Sequence, residues 1–280
     1  MNEPSTHWRG RKVLVTGCTG FLGSAVVREL IDRGAAVVGL VRDRAADAEF
    51  TRHKLAARVH VVRGRADDLF RVHSALAVHE VAAVFHLTAT APNQFDRATA
   101  TVLDAVRRYD PRVPVVTARP ADESDTPAST VPLGVARFGE VFGAGDRATF
   151  RTVPAAILGL LSGNPSAAAN DSPARDFVYV RDAARACVAL GEAVAGGPGR
   201  VHDVTFRSGW ALTNRAMAAA VRDVLAGNTR PIPVSDVPAN ALGWGASVSL
   251  PDSLAETIAW YREVAGGRPV AAPVPGRMAA

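Results

Sequence analysis

Residues 16–23, Thr-Gly-Cys-Thr-Gly-Phe-Leu-Gly, set three glycines between a short apolar run and an amphipathic one, and few folds accommodate that arrangement. Lys12-Val-Leu-Val-Thr16 reads as a buried strand, and residues 21–33 carry Leu22, Ala25, Val26 and Leu30 at helical spacing, so the glycines stand where strand becomes helix. Gly17 permits a tight turn, Gly20 lets the backbone approach a pyrophosphate, and Gly23 lets the helix lie close to the sheet. Thr19, Phe21 and Leu22 complete a turn whose unpaired N–H groups suit an anion, which makes a dinucleotide the expected ligand.

The rest of the chain extends the pattern. Further strands are expected at 36–41, 59–62, 81–87 and 113–117, with helices at 68–79 and 97–109, an alternation that calls for an α/β fold with a Rossmann-type doubly wound parallel sheet. A sixth strand is expected over 133–141. Beyond it the rhythm loosens into a helix at 153–161, a strand at 177–180, a helix at 181–194 and a strand at 201–206. Thr213 is placed to cap a helix over 214–225, and Pro251 opens a last one that runs to 264. The expected organisation is a tail over 1–10, a mainly nucleotide-binding domain over 11–150, an interleaved small C-terminal lobe over 151–265, and a flexible tail over 266–280.

Composition excludes several other classes. With 280 residues, 48% of them hydrophobic, the chain can bury a large core. No apolar run approaches the ~20 residues of a bilayer-spanning helix, and no signal-peptide pattern opens the chain, so no membrane partner and a cytoplasmic location are expected. Cys18 and Cys187 form no framework and lack metal spacing, so no metal site is expected. The formal charge of +5 is scattered rather than blocked, which argues against nucleic acid. Only Lys12 and Lys54 are lysines among 32 basic residues.

Four segments together resemble the extended short-chain dehydrogenase/reductases, particularly nucleotide-sugar epimerases and 4,6-dehydratases: TGCTGFLG at 16–23, VFHLTA at 84–89, ARFGEVFGAGD at 136–146 and RDFVYVRDAARA at 175–186. A fifth, weaker likeness covers 241–263. The resemblance implies NAD or NADP as cofactor, a nucleotide sugar or related small molecule as substrate, and a substrate cleft between the sheet and the C-terminal lobe. It also implies a Tyr followed four residues later by Lys, on a long helix between strands five and six. This chain has no such pair: Tyr109, Tyr179 and Tyr261 are followed at that spacing by Val113, Ala183 and Ala265. Pro120 to Pro127 resembles the acidic loop before that helix while Val131-Pro132 already resembles the approach to strand six, so the helix itself is expected to be missing. The loop between His86 and Arg97 is also short. Since those two helices commonly form the family's dimer, a homo-oligomer is left open.

The resemblance assigns further residues. Arg42, at the end of strand two, stands near the position of a ribose-binding acid and tips the choice slightly to NADP, with Asp43 beside it leaving NAD open. Asp68, Leu87, Thr88 and Ala89 are expected to face the cofactor, while His86 is expected to be a strand-end core residue. Thr117 occupies the place of a Ser or Thr that binds the reacting hydroxyl, and Glu140 stands where Asn is common, so Thr117 and Glu140 are the candidate proton carriers. Arg175 is the candidate substrate-diphosphate contact, or else one half of an ion pair with Asp176 or Asp182. Three readings follow: an enzyme with a non-standard proton transfer, an inactive nucleotide-binding sensor or scaffold, and a non-redox lyase or cyclase.

Overall fold

Near-continuous apolar strands such as Leu14-Val15 and Val37-Val38 bury both faces, which is the requirement of a parallel sheet covered on two sides. The structure, a computed structural model, describes residues 6–42, 55–88, 97–164, 172–195, 201–228 and 242–267. The chain divides into two units, one comprising Met1–Phe138, Arg181–Phe206 and Pro238–Gly245, the other Gly139–Val180, Arg207–Val237 and Ala246–Ala280.

The first unit is built on strands β1 (Lys12–Thr16), β2 (Ala36–Val41), β3 (His60–Arg63), β4 (Ala83–His86), β5 (Val115–Pro120) and β6 (Leu133–Phe138). Counting β7 (Glu140–Phe142) and β8 (Arg175–Tyr179) of the second unit, its last strand is β9 (Val201–Phe206). The order is β3-β2-β1-β4-β5-β6-β9, with every pairing parallel, as a Rossmann-type α/β fold requires. Helices α1 (Phe21–Asp32), α2 (Leu69–His79) and α3 (Arg97–Tyr109) supply crossovers. Val72 and Leu76 of α2 and Val102 and Val106 of α3 pack with Leu14, Val84, Val115 and Leu133, which fixes one face of the sheet beneath these two helices. No helix among the described residues is long and apolar enough to cross a membrane.

Two local expectations change. Residues 6–10, expected as tail, form a turn that puts Trp8 at 0% exposure, its ring centroid 5.6 Å from that of Phe85. Burial of so large an apolar ring outweighs the polar character of its neighbours. The strand expected over 133–141 is two strands separated at Gly139, which is backed against the Asp176 backbone: β6 joins the large sheet, and β7 pairs with β8.

In the second unit β7, β8 and β10 (Ala211–Leu212) form a three-stranded sheet in the order β10-β8-β7. Its helices are α4 (Thr152–Leu161), α6 (Asn214–Leu225) and α7 (Leu250–Gly267), while α5 (Val180–Val194), which follows β8, returns the chain to the first unit, where a short 3-10 helix spans Leu55–Ala57. Phe142, Ile157, Phe177, Met217, Val221, Leu254 and Ile258 are buried there. Thr213 caps α6 by accepting from the Ala216 N–H, as its position suggested.

Between β5 and β6 residues 121–132 contain no helix. Arg137 of β6, 7% exposed at its side chain, holds the first half of this loop: it donates to the Glu123 and Asp125 carbonyls and to Thr126 Oγ1 while gripping Asp203 of β9 through Nε at 2.6 Å and Nη2 at 2.8 Å. The guanidinium lowers the Asp203 carboxyl below the usual carboxylate range. Arg137→Met should therefore cost about 2–3 kcal/mol, less than a fully buried pair because Asp203 keeps 29% exposure. Since the folded-state value of Asp203 lies below the unfolded one, its contribution is complete above about pH 4 and is lost as pH falls further. Urea melts of wild type and Asp203→Asn should accordingly converge toward low pH; a constant difference would refute the assignment.

Candidate functional site

The C-terminal ends of β1, β2, β4 and β5 lie along one edge of the parallel sheet, the edge at which α/β folds assemble their sites. At β1 the turn is so tight that no side chain fits at two positions. Gly17 has φ +69°, and a Cβ on it would lie 2.6 Å from the Leu87 carbonyl oxygen; a Cβ on Gly23 would lie 2.0 Å from the Gly17 carbonyl oxygen. Gly20 is the N-cap of α1, with no side-chain cap and no acidic residue in the first turn. The helix therefore presents its first N–H groups, including those of Phe21 and Leu22, without a carboxylate that would compete for them. Thr19 is half-buried beside them.

Next to the turn, the register aligns Thr16 with His86 and His86 with Thr117, a polar row across β1, β4 and β5. All three are buried, and Thr16 Oγ1 hydrogen bonds His86 Nδ1 at 2.6 Å and Thr88 Oγ1 at 3.2 Å. The Leu87 N–H donates to the Thr16 carbonyl at 3.1 Å, extending the β1–β4 pairing past the end of the strand. Ala89 lies outside the described residues, as do Asp43 and Lys54. Arg42 is exposed directly after β2. Asp68 serves as the N-cap of α2, accepting from the Arg71 N–H at 3.1 Å. Its neighbour Asp67 is held below the usual carboxylate range by a two-point pair with Arg65. Lys12, at the opposite end of β1, is bound to Glu80 at 2.6 Å. Cys18 is a buried filler with its Sγ 3.7 Å from the Leu40 carbonyl, and burial pushes the Cys187 thiol up to about 12.

In the second unit Glu140 and Arg175, expected in separate roles, meet. Glu140 Oε1 accepts from the Thr152 N–H at 3.0 Å, Oε2 accepts from Thr152 Oγ1 at 3.0 Å, and Arg175 Nη1 stands 3.3 Å from Oε2. The carboxylate thereby caps α4, whose N-cap residue Arg151 contributes no side-chain cap. Arg175 takes neither acid named for it in sequence: Asp176 accepts from the Ser208 and Gly209 N–H groups, and Asp182 pairs with Arg185. Arg151 itself pairs with Asp146, whose carboxyl is raised above the usual range by burial. A cavity of about 300 Å³ lined by Leu103, Asp104, Arg107 and 128–131 lies near the N-terminal end of β6, on the opposite edge of the sheet from the glycine turn.

A model of the NAD dependent epimerase/dehydratase family matches residues 13–115 and 126–204. The chain belongs to this family. The dTDP-4-dehydro-6-deoxy-D-allose reductase of Streptomyces sp is 38% identical over 108 residues, 36% of this chain and 32% of that protein. Of the curated relatives it matches, the chain spans 19% and 32% of the length. Among solved structures, WbmH of Bordetella bronchiseptica in complex with NAD+ has a TM-score of 0.70 at 21% identity, covering 91% of this chain and 99% of that one. UDP-glucose 4-epimerase of Thermotoga maritima, solved with UDP-glucose, has a TM-score of 0.68 at 20% identity, covering 90% and 99%. At those identities the likeness is one of fold.

The residue that sequence inspection passed over is Arg137. An arginine inside the apolar run Leu-Gly-Val-Ala-Arg-Phe is the available signal, because a cation on a central strand needs an acceptor nearby. The cap geometry yields a stability test. Glu140→Ala should lower stability by about 1–2 kcal/mol through loss of the α4 cap, whereas Arg175→Ala, at a side chain 44% exposed, should cost less. Thermal melts that rank the two in the reverse order would count against the cap.

Proposed function

We propose that the protein binds NAD(P) at the glycine turn and acts on a nucleotide sugar or related small molecule by epimerase/dehydratase-type chemistry, with a proton transfer that does not use a Tyr/Lys pair. The observation that carries this is the turn itself: two positions with no room for a Cβ, and a helix N-terminus without a side-chain cap. Both fit a pyrophosphate, which needs close backbone approach and N–H donors. A bound nicotinamide dinucleotide would supply the hydride acceptor and donor.

In this reading Gly17, Thr19, Gly20, Phe21, Leu22 and Gly23 hold the pyrophosphate, Arg42 meets the adenosine ribose with or without a 2′-phosphate, and Leu87, Thr88 and Ala89 border the cofactor. Asp68 acts indirectly, by capping α2. Thr117 is the proton-handling hydroxyl, supported by its alignment with the Thr16–His86 pair, which ties the neighbouring strand ends together. Glu140, committed to Thr152 and Arg175, acts as the group that orients Arg175 toward a substrate diphosphate. A sensor or scaffold that binds nucleotide without turnover is the second reading, favoured by the missing Tyr-x-x-x-Lys spacing.

Fluorescence titration with NADH and NADPH should give saturable binding, weakened at least about tenfold in Gly23→Ala because the turn must open. Equal affinity in wild type and variant would overturn the cradle assignment. Turnover of nucleotide sugars that falls in Thr117→Val with cofactor affinity intact would support the enzyme reading. Cofactor binding with no turnover on any of them would favour the sensor.

A further inference from the structure

The cavity shared by α3 and residues 128–131 lies wholly within the first unit, at the edge of the sheet away from the glycine turn. Leu103 and Val131 are its apolar lining, and both belong to the hydrophobic cluster that holds Leu14, Val84 and Val115. The rest of the wall is polar. A volume of about 300 Å³ is at the small end for ligand cavities, with room for a molecule of a few carbons and none for a dinucleotide.

Two arginines answer one acid at this wall. Asp104 Oδ1 accepts from Arg107 Nη2 at 2.6 Å and Oδ2 from Arg108 Nε at 2.9 Å, which holds the carboxyl below its usual range and leaves a positive charge in excess. Asp104 is thereby occupied on both oxygens. The Arg107 guanidinium is not: its Nε and Nη1 make no hydrogen bond among the described residues, and its side chain is 53% exposed.

On the loop side, the main-chain N–H groups of Ala128, Ser129 and Thr130 and the Thr130 hydroxyl also make no hydrogen bond among the described residues, while Ser129 Oγ is spent on Val131. These N–H groups are available because residues 121–132 contain no helix that would pair them. Unused donors therefore stand on both the helix and the loop. One edge of a guanidinium satisfies a planar carboxylate, whereas a phosphoryl group has further oxygens for N–H and hydroxyl donors from a second side.

We infer that this cavity is a second ligand site, specific for a small phosphomonoester. Arg107 is its charged contact, Thr130 and the loop N–H groups are its neutral ones, and Leu103 and Val131 border the short carbon body. Asp104 is a positioning residue that fixes the Arg107 plane. No residue of the glycine turn lines the cavity, so the site stands apart from the proposed function.

The test uses the full chain, labelled with ¹⁵N, and three probes: glycerol 3-phosphate, inorganic phosphate and glycerate. Calorimetry should show saturable binding of glycerol 3-phosphate, and the amide resonances of Ala128, Ser129 and Thr130 should shift with it and with inorganic phosphate. Affinity should fall at least about tenfold in Arg107→Met and recover in part in Arg107→Lys. It should stay at the wild-type value in Gly23→Ala and in Arg112→Met, which removes an arginine 82% exposed and outside the cavity. Melting temperatures of the Arg107 variants should stay near wild type, because the lost ion pair is exposed. Glycerate should bind at least about tenfold more weakly than glycerol 3-phosphate. Absence of saturable binding overturns the site, as do shifts confined to residues 17–23, which would place the phosphate in the glycine turn. An equal loss in Arg107→Met and Arg112→Met overturns it by showing attraction to surface charge alone, and glycerate bound as tightly as glycerol 3-phosphate overturns the phosphate class.

Discussion

Parallel pairing of β1 on both sides, with β2 and with β4, is the constraint on which the rest of the site depends. A strand hydrogen bonded along both edges and buried on both faces leaves the chain no gradual exit, so it must turn over the end of the sheet within a few residues. The end of β4 stands in the way. The Leu87 carbonyl closes on Gly17, and the first turn of α1 closes on the Gly17 carbonyl, so the shape of the turn follows from packing before any ligand is considered. The same register brings Thr16, His86 and Thr117 into one row, which is why three residues 31 to 101 positions apart share one edge.

Arginine does most of the polar construction. A guanidinium presents several donors in a fixed plane, and Arg137 uses them to satisfy loop carbonyls that a helix would have satisfied internally. Lysine, a single point of charge, could not replace it there. In the second unit Arg175 and Arg151 act in the same manner, each fastened to a carboxylate near the start of α4.

Much of the fold was legible in sequence because it is local. β1, β2 and β9 begin and end where their apolar runs do, α3 and α6 keep their expected bounds, and Thr213 caps where a Thr before a helical pattern should. Misjudged segments were those whose local signal has two solutions. Residues 133–141 are equally good as one strand or two, and only the competition between β5 and β8 for partners divides them at Gly139. Trp8 lies in polar sequence, and nothing near it announces that Phe85 and Gly191 form its pocket.

The candidate site divides along the same line. Strand, glycine turn and helix at 12–32 are determined by the sequence, because the spacing of glycines and apolar residues acts over a few positions and admits one geometry. Which polar groups meet was decided by tertiary structure alone. Glu140 and Arg175, given separate roles in sequence, meet at the start of α4. The physical reason is that hydrogen-bond satisfaction depends on distances between segments far apart in the chain, which strand register and helix packing set.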